Sequence, residues 1–283
     1  MPRVTESSES LVARARMGDA RALEELVLAV KDDVYNLSIR MLWHPQDAED
    51  ASQEILLKVV THLGTFRGES AFSTWVHRIA TNHLLNVRKS RVEREAMTFE
   101  RFGEQLADGL DEIAAPEAAG PDQALLEEEV KIGCTQGMLL CLDRDDRIAY
   151  VLGDVFGMQS EDAAEVLGVK PAAFRKRLSR ARERLRLFMR GHCGLVSVEA
   201  ACRCQRRVRR AVEIGRVAPE RLLFAGQVVG PRPSLPVIEQ VGEMEELHDI
   251  AEVFRSHPRY VSRGRLVDDV RVILRSARHS LLD

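Results

Sequence analysis

The chain has 283 residues, 45% hydrophobic and 30% charged, a balance that suits about two folded domains and excludes a disordered chain. A net charge of −3 excludes a uniformly basic nucleic-acid binder, and no apolar run approaches the roughly 20 residues that span a bilayer. Aromatic residues are only 5%, while Ala, Leu, Val, Arg and Glu dominate, which predicts an all-α fold. The start, MPRVTESSES, has no apolar segment behind its charge, so no secretory signal is expected and the cytoplasm is the expected compartment.

Residues 10–63 read as helices: Ala22, Leu23, Leu26, Val27 and Val30 recur at helical spacing, followed by Val34, Leu37 and Met41. Trp43-His44-Pro45 interrupts the pattern, and a new helix is predicted from near Asp47, with acids in its first turn and Ile55, Leu56, Val59 and Val60 as its buried stripe. Gly64 and Gly68 mark a loop, and Ser73–Val87 is the next helix. Residues 93–122 lose the periodicity to Gly103, Gly109, Pro116, Gly120 and Pro121 and read as a linker, extended or weakly helical. Helical patterning returns near Gln123 and runs to Met189, with Gly191 as its end. Beyond lie a Cys/Arg-rich piece, a Gly230-Pro231-Arg232-Pro233 loop and two predicted helices, Pro236–Phe254 and Arg263–Leu282. The expected division is 1–92, 93–122, 123–190 and 191–283.

The charge is segregated. Residues 100–129 hold ten acids and one base, whereas 170–190 hold nine bases and one acid, so only the second block suits phosphates. The sharpest local pattern runs from Gln159 to Leu178. Ser160 is the expected N-cap, Ala163 and Ala164 allow a second helix to pack closely, Gly168 supplies a turn, and Pro171 opens the next helix. Phe174 and Leu178 then face inward, leaving Arg175, Lys176, Arg177 and Arg180 outside. This is a helix-turn-helix whose second helix fits a major groove. The plainer alternative is an antiparallel helix pair with a solvated basic face.

Three clusters in the first half bear on function. Asp47, Glu49, Asp50 and Glu54 form an acidic helix start, which serves either dipole complementation or docking of a basic partner. The run from Phe66 to His83 sets aromatics beside a glycine loop, a combination that stacks on unpaired bases, although Trp75 and Ile79 also fit a core. Asn82, Asn86, Arg88, Lys89 and Arg91 at the helix end suit base edges and phosphates.

In this order, Asp47-Ala48-Glu49-Asp50-Ala51-Ser52-Gln53-Glu54 and Phe72-Ser73-Thr74-Trp75-Val76-His77-Arg78-Ile79-Ala80-Thr81-Asn82 resemble region two of the sigma-70 family, of the extracytoplasmic-function type. Ala163-Ala164-Glu165-Val166-Leu167-Gly168-Val169 and Arg175–Leu185 resemble region four, so the likeness spans residues 10–190. The resemblance implies an RNA polymerase specificity subunit, not an enzyme. Its partners are core polymerase, double-stranded promoter DNA, the melted non-template strand and a separate anti-sigma protein; no membrane is implied. Asp47, Glu49, Asp50, Gln53 and Glu54 match the polymerase-binding face. Arg67, Phe72, Trp75, Arg78, Asn82, Asn86 and Arg88 match the minus-ten set, and Lys170, Arg175, Lys176, Arg177 and Arg180 the minus-thirty-five set. The acidic linker matches the segment that enters polymerase. Asn86 stands where the family usually has aspartate, and Lys170 is a poor cap.

No cofactor is required by this reading. Five cysteines include three between Cys193 and Cys204. A zinc or copper site on His192, Cys193, Cys202 and Cys204, a Cys202–Cys204 redox pair, and buried structural thiols are the alternatives there. The extension from Gly191 is expected to regulate the activity. A stand-alone helix-turn-helix regulator is the rival reading, and it leaves the Asp47 and Trp75 clusters unexplained; the sequence has neither a Gly-rich phosphate loop nor a nucleophile elbow.

Overall fold

A computed structural model of the chain describes residues 7–87, 97–108, 121–225 and 250–257, with 110, 260 and 272 singly. The described residues are helical and contain no strand; an isolated bridge pairs Cys193 with Cys202. The chain divides into two units, Met1–Arg88 with Ala164–Lys170 and Val261–Asp283, and Lys89–Ala163 with Pro171–Tyr260.

The first unit holds α1 (Ser8–Arg16), α2 (Ala20–Leu42), α3 (Pro45–Thr61), a 3-10 turn (Leu63–Thr65) and α4 (Phe72–Asn86). Ser7 caps α1 by accepting the Ser10 amide. Asp19 caps α2, accepting from the amides of Arg21 and Ala22, and Arg14 Nε donates to it at 2.9 Å. That guanidinium holds the Asp19 carboxyl below its ordinary pKa. Helices α2, α3 and α4 pack on one another, burying Leu26, Val30 and Leu37 with Ile55, Leu56, Val59, Val76, Ala80 and Leu84. Trp43 ends α2 at φ +68, and α3 then starts at Pro45, two residues before the expected Asp47. The reason is local: Pro45 needs no amide partner at a helix start, and His44 Nδ1 accepts the Gln46 amide.

The second unit holds α5 (Phe99–Ala107), α6 (Pro121–Leu140), α7 (Arg144–Tyr150) with a π-helical turn (Val151–Val155), α9 (Pro171–His192) and α10 (Cys204–Glu213). Between α7 and α9 in the chain lies α8 (Ser160–Leu167). Asp143 caps α7, and buried Arg147 donates to the carbonyls of Leu139, Leu140 and Leu142, fixing the turn from α6. Gly153 admits α9 closely: a Cβ there would sit 2.9 Å from Leu178 and 3.3 Å from Phe174.

The structure corrects two expectations and narrows the reading of the linker. Of the expected linker, extended or weakly helical, Phe99–Ala107 forms α5, with Phe102 and Leu106 buried. Phe99, Phe102 and Leu106 make an apolar stripe; the first two rings lie 5.1 and 5.6 Å from that of Phe188, and a Cβ on Gly103 would meet His192 Nε2 at 2.7 Å. Ser160 is the first residue of α8 and not its cap, since the Gln159 carbonyl already accepts the Ala163 amide. Gly191 does not end α9, which continues to His192. The two last predicted helices lie largely outside the described residues, of which 250–255 are helical.

The extension after Gly191 shares a core with α6. Val208, Ala211 and Val217 bury against Val130, and Glu129, 2% exposed, accepts the amides of Leu223, Phe224 and Ala225 at 2.7–2.9 Å. Residues 250–257 add Phe254, whose ring meets Tyr150 edge-on at 5.3 Å, and His257, 2.5 Å from Thr135 Oγ1. Removing the Glu129 carboxylate takes away the acceptor that these three amides share. Glu129→Ala is expected to lower the unfolding free energy by about 1–3 kcal/mol in urea denaturation. Glu161→Ala, which removes an exposed ion pair, is expected to change it by less than about 1 kcal/mol.

Candidate nucleic-acid interface

Arg16 and Gly68 shape the approach to α4. Arg16 donates to the carbonyls of Leu63, Gly64 and Phe66, holding the loop, and Gly68 takes φ +74, a backbone state cheap only without a Cβ. Phe66, Phe72 and Trp75 then cluster with ring centroids 5.5–5.8 Å apart. Phe72, expected on the DNA face, is only 6% exposed; its ring is stacked under Trp75, which is half-buried. Phe72 therefore supports the tryptophan from below.

Trp75, Ile79, Asn82 and Asn86 form one stripe of α4, spaced by four, three and four residues. They line an open cleft of about 680 Å³, closed on the other side by Glu54 and Lys58 of α3 with His62 and Thr65 beyond. Trp75 and Ile79 are thus neither plain core nor fully exposed. Arg67 and Arg78 are exposed nearby; Arg88 lies outside the described residues. On α3, Asp50 and Glu54 are exposed, while Asp47, Glu49 and Gln53 are half-buried.

Sequence reasoning missed Lys58 and His83. Lys58 Nζ lies 2.8 Å from His83 Nδ1, so the ammonium donates to that nitrogen. The ring proton then sits on Nε2, 3.7 Å from Glu54 Oε2. Burial, reinforced by Lys58, holds the His83 pKa below its ordinary value, and burial does the same to His77, whose ring nitrogen bonds the Ser73 carbonyl. Only the i, i+4 spacing of Glu54 and Lys58 was a signal for this arrangement.

In the second module Gly168 takes φ +64 and α9 begins at Pro171, with Phe174 and Leu178 buried. Lys170, Arg175, Lys176 and Arg180 are exposed and Arg177 is half-buried. Several of these bases already face acids. Arg175 meets Glu161 at 3.4 Å and Arg177 meets Asp145 at 3.3 Å, pairs whose acids are exposed, worth little and easily exchanged for phosphate. Arg180 differs: it forks onto Asp146, 1% exposed, at 2.5 and 3.2 Å. Arg182 does the same with Asp154 at 2.6 and 2.9 Å. Arg180 is therefore fixed to the scaffold, with a partner that α7 supplies and the helix-turn-helix pattern does not reveal.

The expected ligand set of His192, Cys193, Cys202 and Cys204 is not assembled. Among the described residues no group of three or more His, Cys, Asp or Glu stands at ligating separation. His192 is occupied elsewhere: its ring stacks on Phe188 at 4.5 Å, Nδ1 bonds the Phe188 carbonyl at 3.0 Å, and Nε2 abuts Gly103. The basic residues after the cysteines serve the linker. Arg207 donates to the carbonyls of Gln105, Leu106 and Asp108, Arg210 pairs with Asp108 at 2.9 Å, and Arg216 bonds the Gln105 side chain.

Comparison with known proteins assigns both modules. The family model described as Sigma-70 region 2 matches residues 26–94, and that described as Sigma-70, region 4 matches 132–185. The RNA polymerase sigma-H factor of Pseudomonas aeruginosa is 33% identical over 178 residues, covering 63% of this chain and 91% of that protein. The ECF RNA polymerase sigma-E factor of Escherichia coli K12 is 30% identical over 186 residues, covering 62% and 91%.

The imidazole shifts set a pH dependence. A histidine kept neutral by the fold contributes full stability above its ordinary pKa of 6.5 and loses it as pH falls toward the depressed folded value. Urea unfolding followed by tryptophan fluorescence reports on the first unit, because Trp43 and Trp75 both lie there. Its midpoint is expected to hold above pH 6.5 and drop below it, and His77→Asn is expected to flatten that slope.

Proposed function

The chain belongs to the sigma-70 family, within its extracytoplasmic-function type, and from that premise we infer that it selects promoters for RNA polymerase. It binds core polymerase, directs it to specific promoter DNA and helps open that DNA. In this reading it works in the cytoplasm and makes no bonds itself; polymerase supplies the chemistry. Among the described residues no helix is long and apolar enough to cross a membrane.

The observation that carries the mechanism is the α4 stripe. Trp75 offers a rigid half-buried ring, Asn82 and Asn86 offer amides two and three turns on, and the cleft between α4 and α3 has room for an unpaired base. Stacking worth about 1–3 kcal/mol per base offsets the cost of unpairing the minus-ten strand. Arg67, Arg78 and Arg88 hold its phosphates. Lys170, Arg175, Lys176 and Arg177 of the second module contact the minus-thirty-five duplex, while Arg180 keeps α9 at the angle that presents them. Asp47, Glu49, Asp50, Gln53 and Glu54 dock on polymerase. The two weak DNA contacts become one strong one when polymerase fixes their separation. For the linker to enter polymerase, α5 must leave Arg207, Arg210 and Arg216. An anti-sigma protein is a further partner in this reading.

The experiment pairs a binding assay with an opening assay. Wild-type chain is expected to bind core polymerase and to raise the fluorescence of a base analogue placed in the promoter. Trp75→Ala is expected to retain polymerase binding and lower opening about tenfold or more. Asp50→Lys is expected to weaken polymerase binding instead. A chain that does not bind core polymerase, or a Trp75→Ala variant that opens DNA as well as wild type, contradicts the reading.

A further inference from the structure

Two segments that lie outside both family models hold each other. The models cover residues 26–94 and 132–185, whereas α5 (Phe99–Ala107) falls between them and α10 (Cys204–Glu213) follows the second. Neither segment belongs to a module, yet they meet through three arginines. Arg207, 5% exposed, donates to the carbonyls of Gln105, Leu106 and Asp108 at 2.7–3.3 Å, acceptors of the kind that a helix end leaves open. Its charge also sits at the negative end of that helix. Arg210 pairs with Asp108 at 2.9 Å, and Arg216 bonds the Gln105 side chain. On its apolar side α5 seats Phe102 against Phe188 of α9 and against Gly137 of α6, where a Cβ would meet the ring at 3.2 Å.

This hold decides whether α5 stays wound. Nine residues are too few for a helix to stand alone in water. The consequence for the chain is one of reach. With α5 fixed to the second unit, the connection from α4 runs over residues 87–98, at most about 40 Å. With α5 released it runs over residues 87–120, at most about 115 Å. Promoter elements about 25 base pairs apart are separated by roughly 85 Å of duplex, at about 3.4 Å per pair. The long connection spans that distance by itself and the short one does not. A connection that cannot span two sites loses the benefit of linking them.

Resting on the promoter-selecting reading above, we propose that α10 is an intramolecular latch: while Arg207, Arg210 and Arg216 hold α5, the two modules cannot engage one promoter together, and release of α5 switches the protein on.

The latch has a buried part and an accessible part. Arg207 is enclosed and answers to backbone carbonyls, so it holds α5 only in its helical form. The Arg210–Asp108 pair is open to solvent on the Asp108 side, 72% exposed, and its charges can be changed without opening a cavity.

The test uses the full-length chain as wild type, as Asp108→Arg, and as Asp108→Arg combined with Arg210→Asp. Hydrogen exchange of the free protein reads the latch. Amides of residues 102–108 are expected to exchange about tenfold faster in Asp108→Arg, with those of α9 unchanged, and to recover toward wild type when the charges are swapped. Transcription with core polymerase on genomic DNA fragments reads the switch. Yield at discrete start sites is expected to rise about tenfold in Asp108→Arg and to fall back in the swapped variant. A further form carries about 20 Gly/Ser residues inserted between residues 92 and 93, which lengthens the connection with the latch intact. It is expected to match Asp108→Arg in yield while keeping wild-type exchange at α5. Should Asp108→Arg disturb α9, Arg207→Gln and the insertion make the same discrimination. Exchange at α5 unchanged in both Asp108→Arg and Arg207→Gln overturns the latch. So does a yield that neither faster exchange nor the insertion raises while polymerase is still bound. Failure of every form to bind core polymerase is a different result: it removes the promoter-selecting reading itself, and the latch with it.

Discussion

The second unit depends on carboxylates that have been taken out of water. Asp146, Asp154 and Glu129 are 1%, 5% and 2% exposed, and an ionised carboxylate survives such burial only with strong donors around it. The fold supplies them in two ways. Asp146 and Asp154 each receive a forked arginine from α9, at 2.5–3.2 Å, while Glu129 receives three successive backbone amides from the extension. The first pair sets how α9 lies against α7 and its π-helical turn. The third makes the extension part of the same core. The outward direction of Lys170, Arg175 and Lys176 follows from the inward commitment of Arg180 and Arg182.

This explains why a stripe with nine bases does not behave as a uniform positive surface. Arginines one and two turns apart on α9 have different duties. Those whose acid partners are exposed can trade them for phosphates at little cost, and those whose partners are buried cannot. Charge segregation along the chain is also reduced in the folded protein, because Arg207, Arg210 and Arg216 of the extension hold the first turns of the acidic linker.

Much of this was legible in the residues. Gly168 and Pro171 marked the turn and helix start because positive φ and a missing amide are tolerated there and in few other places. Phe174 and Leu178 marked the buried face through helical spacing. The family likeness, carried by the Asp47–Glu54 and Phe72–Asn82 runs, was legible for the same reason that the order of two modules is hard to produce by chance. Other features were hidden because they depend on partners distant in sequence. Helix α5 was masked by the glycines around it, and its stripe of Phe99, Phe102 and Leu106 gains meaning only against Phe188. Phe72 reads as an exposed aromatic until Phe66 and Trp75 are seen to cover it. Nothing near Asp146 in the sequence announces Arg180.

The central claim is that this chain gives polymerase its choice of start point. Core polymerase without any sigma subunit, supplied with genomic DNA fragments and the purified chain, provides the most direct measurement when the 5′ ends of the transcripts are mapped. The account predicts a small set of discrete start sites, absent without the chain, with shared sequence at the minus-ten and minus-thirty-five positions. Transcripts that begin at scattered positions, unchanged by adding the chain, would contradict it.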